Sequence, residues 1–191
     1  MRTSDDADAP ERASPGATHG LKEVVLGLHW TPPEHGAAAE PADLDALCVL
    51  FDGHQRVLEV IGPTHPRNAN GSVFHTGDSR MGTSEWDDER IFVFLDALPD
   101  AVASLAFVAA SATGQAFSEV RGASCHVSDR ITEREWVRLE LTALERHTVH
   151  CVATLHRSPK GWKMSTGARL LNADLMAELL SLVSNRKNRA G

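Results

Sequence analysis

The sequence has few cysteines, no long hydrophobic run and no excess of positive charge, and each shortage excludes a class of protein. Cysteine occurs only at Cys48, Cys125 and Cys151, an odd number without paired spacing, so a disulfide framework is not expected. No apolar run approaches the ~20 residues that a membrane-spanning helix needs. Residues 1–20 contain no apolar segment of the kind found in signal peptides. These absences predict a cytoplasmic protein that does not insert into a membrane.

The shortage of positive charge argues against two kinds of partner. Lysine and arginine number 19 against 26 aspartates and glutamates, which gives a formal net charge of −7. Proteins that bind nucleic acid in general need a basic surface to displace counterions, so nucleic acid is not an expected partner. A polybasic membrane anchor is excluded for the same reason. What the acids do depends on whether they are scattered or gathered.

The chain divides into a tail, a β-rich domain and a C-terminal helix. Residues 1–20 hold little to bury and are expected to be a disordered tail. From 21 to 171, short apolar runs alternate with turn signals about every ten residues, which is typical of an antiparallel β-sandwich. The runs lie at 22–30, 46–51, 56–61, 72–75, 90–95, 104–110, 123–127, 135–141, 148–155 and 161–165. Asn70-Gly71 predicts a tight hairpin with a type I′ turn.

Residues 172–191 are predicted to form a capped amphipathic helix followed by a basic tail. Asn172 is a suitable N-cap, and Asp174 would lie in the first turn, where the helix dipole favours a negative charge. Apolar residues recur at helical spacing and form one stripe: Leu175, Met176, Leu179, Leu180 and Val183. This stripe predicts a helix packed on the sandwich. The alternative is a docking helix for a partner or a second subunit.

Alternation within the strands predicts where the cysteines lie. In the 148–155 run, four residues would share a core-facing side: Val149, Cys151, Ala153 and Leu155. Cys125 shares a side with apolar neighbours in its own strand, and Cys48 lies in an all-apolar run. We therefore expect all three thiols to be buried.

The acids are gathered rather than scattered. Five of them fall in one segment between two predicted strands: Asp78, Glu85, Asp87, Asp88 and Glu89. A second group, Asp43 and Asp45, lies at the start of the apolar strand predicted at 46–51, and alternation along a strand puts both on the same side. Carboxylates and backbone carbonyls on such segments are the ligands that Ca²⁺ prefers, and an ion would relieve their repulsion. The spacing therefore suggests a calcium site, and its alternative is a solvated acidic loop.

The acidic segment does not fit an EF-hand. With Asp78 as the first ligand position, Glu89 falls at the twelfth, where a bidentate glutamate is expected. The third position is Arg80 and the sixth is Thr83, however, where an Asp or Asn and a Gly are required. The predicted flanking elements are also strands and not helices.

Several segments together resemble the TerD family of tellurium-resistance and stress proteins. They are Val25-Leu26-Gly27-Leu28-His29-Trp30, Ala42-Asp43-Leu44-Asp45-Ala46, Gly71-Ser72-Val73-Phe74-His75-Thr76-Gly77-Asp78-Ser79, Met81-Gly82, Trp86-Asp87-Asp88-Glu89-Arg90-Ile91, Gly114-Gln115-Ala116-Phe117 and Gly161-Trp162-Lys163. The His-Thr-Gly-Asp and Asp-Asp-Glu pairing at this spacing is the most specific part. The resemblance covers approximately residues 21–168.

The resemblance implies a calcium-binding β-sandwich whose acidic loops bind one or two ions. Carried over position by position, it implies these ligands: Asp43, Asp45, Asp78, Asp87, Asp88 and Glu89 through their carboxylates, with carbonyls near Gly77 and Gly82. Some positions depart from the family pattern. Thr64-His65 replaces a pair of asparagines, and Glu85-Trp86 is bulkier than the usual glycine-rich stretch. The number of ions, one, two or none, is therefore left open.

Three functions are consistent with these observations. The first is a non-enzymatic, calcium-binding stress-response module, in which Ca²⁺ orders the acidic loops for recognition by an unidentified protein partner. The second is a metal-free interaction scaffold of the same fold with a degenerate site. The third is a divalent-metal-dependent phosphoesterase, which the net charge and the missing phosphate-binding loop disfavour. No motif supports nucleophilic catalysis, and no catalytic residue is assigned.

Overall fold

The computed structural model describes residues 20–32, 41–77, 87–166 and 170–187. The predicted tail, residues 1–20, therefore lies almost wholly outside the described residues. The strands are β1 Glu23–His29, β2 Leu44–Phe51, β3 Val57–Ile61, β4 Val73–His75, β5 Glu89–Phe94, β6 Ser104–Ser111, β7 Ser124–Asp129, β8 Glu135–Glu140, β9 Val149–Ser158 and β10 Gly161–Ser165. One α-helix, α1, spans Ala173–Lys187, and three short 3₁₀ helices span Leu95–Ala97, Phe117–Glu119 and Leu141–Leu144. Each strand falls on one of the predicted apolar runs.

The strands form two five-stranded antiparallel sheets. The first sheet has the order β4-β5-β1-β7-β8, and the second has the order β10-β9-β6-β2-β3. Inward-facing residues of both sheets form a continuous core, in which Trp30, Phe107 and Phe117 are fully buried. The predicted mainly β, antiparallel sandwich with a C-terminal helix is confirmed.

The helix packs on the outer face of the second sheet, as its apolar stripe predicts. Leu179 and Val183 are buried in one apolar cluster with residues of β2, β6 and β9, and the helix lies mainly on β6 and β9. The Leu175 N–H donates a hydrogen bond to Asn172 Oδ1 at 2.8 Å, so Asn172 is the predicted N-cap. The two central strands of the second sheet are consequently buried on both faces, since every residue of β2 and β6 is buried, whereas β3 and β10 keep exposed residues.

Two local predictions are wrong, and both errors concern irregular backbone. The hairpin before β4 does not use a type I′ turn: Gly71 N–H bonds to Asn68 O, and only Gly71, with φ of 72°, has a positive φ there. Asn68 N–H bonds to Val73 O, so the connection is a four-residue loop in which Gly71 takes the left-handed conformation at the end of the turn. In β9, the register against β6 shifts between Phe107 and Val108.

The bulge in β9 divides residues that simple alternation places together. Ala153 and Leu155 contact the core between the sheets, whereas Val149 and Cys151 contact the helix-side core. Because a bulge inserts one extra residue into the strand, the side chains before it point to the opposite face from the one that strict alternation predicts. The prediction that all three cysteines are buried is nevertheless confirmed.

Candidate metal centre

Glu89 is the acid that connects the two sheets. It is the first residue of β5, and its side chain is fully buried. Its Oε2 accepts a hydrogen bond from Ala46 N–H of β2 at 2.8 Å. The Ala46 amide is available because the pairing of β2 with β3 begins only at Cys48 and Ile61. A carboxylate of the first sheet thus binds a backbone donor at the edge of the second sheet.

The same Glu89 oxygen contacts a buried histidine. His75 Nε2 lies 3.0 Å from Glu89 Oε2, and both side chains are fully inaccessible. On the other side of the ring, Gly77 N–H donates to His75 Nδ1 at 3.0 Å. Because Nδ1 accepts this bond, Nε2 carries the proton and donates it to Glu89. The ring is thus held between the backbone of the turn after β4 and the Glu89 carboxylate.

Asp43 and Asp45 are buried at the start of β2. Asp45 is fully buried, and Asp43 is 4% exposed. Asp43 O accepts a bond from Ala112 N–H at 2.8 Å, and Asp45 pairs with Ala110 of β6 in the strand register. Asp45 alternates with Leu44 and Ala46, which belong to the core between the sheets, so it lies on the opposite face of β2. The Asp45–Ala46 peptide is the one whose N–H Glu89 binds.

Asp88 is bound to the end of β1. Its Oδ2 accepts a hydrogen bond from Trp30 N–H at 3.0 Å and lies 3.0 Å from His29 Nδ1. Its own N–H donates to Leu28 O at 2.8 Å. The side chain is fully buried while that of His29 is partly exposed. Asp88 therefore holds the start of β5 against the end of β1.

Asp87 lies on the outer face of the first sheet. Its carboxylate contacts His126 Nε2 at 3.1 and 3.2 Å and accepts a bond from Arg90 Nε at 2.8 Å. Burial, the largest single influence, raises the pKa of Asp87, but the hydrogen bonds and charges of His126 and Arg90 together bring it below its ordinary value. This pair lines a groove of about 610 Å³ that also exposes Arg138 and Ser128.

Gly27 makes the contact between Asp87 and His126 possible. It lies in β1 between Arg90 of β5 and His126 of β7, one strand on each side. A Cβ atom at this position would collide with His126 Nε2 and would lie 2.6 Å from Asp87 Oδ2. The missing side chain thus gives the imidazole and carboxylate room to meet across β1.

Three consecutive acids consequently meet three different histidines. Asp87 contacts His126, Asp88 contacts His29, and Glu89 contacts His75. The sequence identified the acids but missed His29, His126 and Arg90 as their partners. Arg90 lies only three residues after Asp87, whereas no short-range pattern reveals His29 and His126, because they come from β1 and β7 and their contacts depend on the strand order.

The predicted ligands are only partly within the described residues. Asp78 and Gly82 lie outside them, as do Glu85 and Trp86. Among the residues that the structure does describe, no group of three or more His, Cys, Asp or Glu side chains is arranged to hold a metal ion. Glu89 binds the N–H of the Asp45–Ala46 peptide, and the Asp45 side chain lies on the face of β2 opposite the core. Asp87 lies on the outer face of the first sheet.

The three thiols are poorly suited to reactive chemistry. Cys48, Cys125 and Cys151 are free and buried. Burial raises the pKa of Cys125 to about 12 and that of Cys151 to about 12, and it raises the pKa of Cys48 as well. Because the thiolate is the nucleophile and the metal ligand, these groups are inert at neutral pH.

These features define a two-sheet antiparallel β-sandwich with a helix on one sheet and buried acids where β5 and β2 begin. The profile of the TerD domain matches residues 15–181, so the chain belongs to the TerD domain family. The match extends beyond the resemblance noted in the sequence at both ends. No helix in the described ranges is both long and apolar enough to cross a bilayer.

Several relatives of this chain are named as tellurium-resistance or stress proteins. Tellurium resistance protein TerZ of Serratia marcescens is 34% identical over 149 residues, which cover 74% of this chain and 77% of the relative. Tellurium resistance protein TerD of Alcaligenes sp is 32% identical over 151 residues, with 75% and 78% covered. General stress protein 16U of Bacillus subtilis is 30% identical over 154 residues, with 76% and 79% covered.

A solved structure has the same fold. The crystal structure of a homologue of telluride resistance protein (TerD) from Streptomyces coelicolor A3(2) superposes with a TM-score of 0.72. The alignment covers 86% of this chain and 99% of that one, at 22% identity. At this identity the likeness supports the fold and does not assign a site.

Proposed function

We propose that this protein is a non-enzymatic, calcium-binding stress-response module of the cytoplasm. The observation that carries the proposal is the hydrogen bond from Ala46 N–H to Glu89 Oε2, because it joins the two acidic segments of the sequence. It places the Glu89 carboxylate at the peptide that follows Asp45, and both side chains are fully buried. The relatives' names as tellurium-resistance and stress proteins support the physiological part.

The chemistry of the donor set fits a hard cation. Asp43, Asp45 and Glu89 each carry carboxylate oxygens, although the described residues alone bring no three such side chains together, and the nearby ring of His75 uses both of its nitrogens within the protein. Oxygen ligands without nitrogen or sulfur favour Ca²⁺ over zinc or copper. Asp78 and the carbonyl of Gly82, which the sequence predicts as ligands, would supply further oxygens. When bound, the ion would neutralise the buried acids and hold the two segments together.

The mechanism we propose is ligand-linked stabilisation followed by recognition. An ion that binds only the folded protein stabilises the conformation in which the acidic segments meet. A protein partner that recognises this conformation would then bind more tightly when Ca²⁺ is present. The chain's own residues provide the carboxylates and the backbone donors that fix their positions.

A titration of the full chain with Ca²⁺ tests the proposal. Calorimetry should detect binding, and saturating Ca²⁺ should raise the melting temperature. Asp45→Asn should weaken binding by about tenfold or more, since it removes a charged ligand. Asp100→Asn, a change in an exposed acid of a turn, is the matched control and should bind as the parent does. Absence of heat together with an unchanged melting temperature in the parent would overturn the proposal.

A metal-free scaffold is the second candidate, and one feature favours it. Glu89 Oε2 accepts two protein donors, and Asp88 and Asp87 also accept bonds from protein groups. Protein donors therefore form hydrogen bonds with several of these carboxylates without a metal ion, as is expected of a scaffold that binds none. The same titration distinguishes the two functions, because the scaffold gives no calcium-dependent heat or stabilisation.

A further inference from the structure

Three phenylalanines form an aromatic strip on the outer face of the first sheet. Phe74, Phe92 and Phe94 alternate with core residues of β4 and β5, so they face away from the second sheet. The centre of the Phe74 ring lies 5.0 Å from that of Phe92 and 6.0 Å from that of Phe94. All three side chains remain partly exposed. The strip is therefore an apolar surface in contact with solvent.

The outer face of the second sheet shows how this fold covers such a surface. There α1 packs on β6 and β9, and it buries Leu179 and Val183 together with the apolar residues of the sheet. Within the described ranges, no helix packs on the first sheet in this way. Removing the exposed part of the phenylalanine rings from water would be favourable, so the strip is a surface that a second molecule can cover.

Two arginines stack on the aromatic strip. The guanidinium carbon of Arg67 lies 5.4 Å from the centre of the Phe74 ring, and that of Arg130 lies 5.8 Å from the centre of the Phe94 ring. Arg67 is exposed, and no carboxylate of the described residues pairs with it. Arg130 uses Nε to bind Glu23 Oε2 at 2.6 Å, which leaves its terminal N–H donors for a ligand.

A third guanidinium lies beside the strip on the same face. Arg90 precedes Phe92 by two residues on β5, and it uses Nε to bind Asp87 Oδ2 at 2.8 Å. Arg90 and Phe92 also line the groove of about 610 Å³, whose lining includes Val25 of β1. Because Asp87 and Glu23 are already bound to arginines, a ligand at the strip meets N–H donors beside apolar rings.

We infer that the aromatic strip docks an acidic amphipathic helix of a protein partner. Apolar residues at helical spacing would cover the phenylalanines, as α1 covers the second sheet. Aspartates or glutamates on the flanks of that helix would accept charge-assisted hydrogen bonds from Arg67, Arg90 and Arg130. This inference rests on the proposed function for the existence of a protein partner, and it does not depend on calcium.

Two observations favour a peptide over single-stranded nucleic acid, which also binds surfaces of aromatic and basic residues. The rings of the strip stack on one another, with interplanar angles of 17° and 28°, so their faces are partly covered already. The chain as a whole has a formal net charge of −7, which repels a phosphate backbone.

The experiment measures binding of the full chain, in chelator, to a labelled synthetic helix by fluorescence anisotropy. The helix has about 18 residues, with leucines along one face and glutamates on both flanks. A peptide with lysines in place of the glutamates and a single strand of poly-dT are the comparison probes. The parent should bind the glutamate peptide at least about tenfold more tightly than either of them.

Arg67→Glu is the main variant, because it reverses an exposed charge without breaking an ion pair. It should weaken binding of the glutamate peptide by about 5- to 10-fold and strengthen binding of the lysine peptide. A purely structural role of Arg67 would not exchange the two preferences. Arg146→Glu, the same change at an exposed arginine in the turn before β9, is the matched control and should stay within about twofold of the parent.

Phe74→Thr tests the apolar part of the surface. It removes one ring of the strip and should weaken binding of both peptides, because both carry the leucine face. Urea unfolding shows whether each variant folds. If Phe74→Thr does not fold, Arg67→Ala takes its place, and it should weaken the glutamate peptide without strengthening the lysine peptide.

Three outcomes would overturn the inference. One is equal binding of the glutamate peptide by the parent and by folded Arg67→Glu, and another is tighter binding of poly-dT than of the glutamate peptide. The third is a parent that does not bind the glutamate peptide. Because every measurement is made in chelator, none of these results decides whether the protein binds Ca²⁺, and a failed calcium titration would not decide whether the strip docks a helix.

Discussion

The inner pair Glu89–His75 and the outer pair Asp87–His126 are built from the same chemistry but differ in their surroundings. Each pair joins a carboxylate of the Asp87-Asp88-Glu89 segment to a histidine Nε2, at distances of 3.0 to 3.2 Å. The inner side chains are fully buried, whereas each outer side chain is 16% exposed and adjoins an open groove. The inner oxygen also binds a backbone N–H, and the outer carboxylate also binds a guanidinium.

The difference follows from strand geometry. Glu89 lies at the start of β5 and faces inward with Ile91 and Val93, while Arg90 and Phe92 face outward. Asp87 precedes the strand and reaches the outer face through the space above Gly27. Adjacent acids in a motif can therefore belong to separate sites, and membership in a motif does not by itself assign a ligand.

The difference also predicts unequal energetic consequences. A buried donor that loses its acceptor cannot bind water instead, so it retains the full cost of desolvation. A partly exposed donor recovers a bond to solvent. Substitutions at the inner pair should therefore affect stability more strongly than the same substitutions at the outer pair, even without any metal.

The largest effect is expected from removing the inner carboxylate. In chelator, Glu89→Ala should lose about 2–6 kcal/mol of unfolding free energy, because Ala46 N–H and His75 Nε2–H each lose a buried acceptor at about 1–3 kcal/mol. Asp87→Ala should lose about 1 kcal/mol or less, since Arg90 and His126 reach solvent. Urea unfolding of both variants gives the comparison.

The control for this measurement is Glu89→Gln, which keeps a carbonyl acceptor for one of the two donors and should lie between the parent and Glu89→Ala. Equal losses in Glu89→Ala and Asp87→Ala would contradict the distinction between the inner and outer pairs.

A smaller effect is expected at Gly27. Gly27→Ala should destabilise the protein by about 1–2 kcal/mol, because the new methyl group takes the space of the His126 ring and the Asp87 carboxylate. Both groups are the ends of flexible side chains, so they can move away from the methyl group, but they then lose their contact with each other. The inner pair should be unaffected, and calcium affinity should remain that of the parent.

A double-mutant cycle with His126→Ala isolates this effect. Removing the imidazole makes room for the methyl group, so Gly27→Ala should cost less in the His126→Ala background than in the parent. Additive losses, each measured by urea unfolding, would show that Gly27 is required for another reason.

The fold was largely predictable from the sequence, because it depends on periodic signals. Apolar runs and turn residues located all ten strands, and the stripe from Leu175 to Val183 located the helix and its buried side. The errors, in the turn at Gly71 and the bulge of β9, arose where one residue departs from the period. Such departures depend on packing against the neighbouring strand and leave little trace in a single sequence.

The candidate site was only half predictable, because it depends on which strands become neighbours. Clustering identified Asp43, Asp45 and Glu89, and alternation placed Asp45. The histidine partners required the order β4-β5-β1-β7, since His75, His29 and His126 come from three strands around β5. That order is set by tertiary packing, which the acid-rich motif does not encode. The motif alone therefore placed Asp87 and Glu89 in one group of predicted ligands.

The smallest expected effect concerns the acid titration of the outer pair. His126 and Arg90 bring the pKa of Asp87 below its ordinary value of about 3.9, despite the opposing effect of burial. A lowered pKa in the folded state contributes stability that is present above the unfolded value and is lost as pH falls through the folded pKa. His126→Gln removes the imidazole's hydrogen bond and charge, so the pKa of Asp87 should rise toward its ordinary value and this acid-range contribution should shrink. Carbon-detected NMR of the Asp87 carboxyl would measure the shift, with the exposed Asp100 as an internal reference. An unchanged Asp87 titration in His126→Gln would mean that Arg90 alone controls this carboxylate, and the outer pair would then be a pairing of acid with arginine rather than the counterpart of Glu89 and His75.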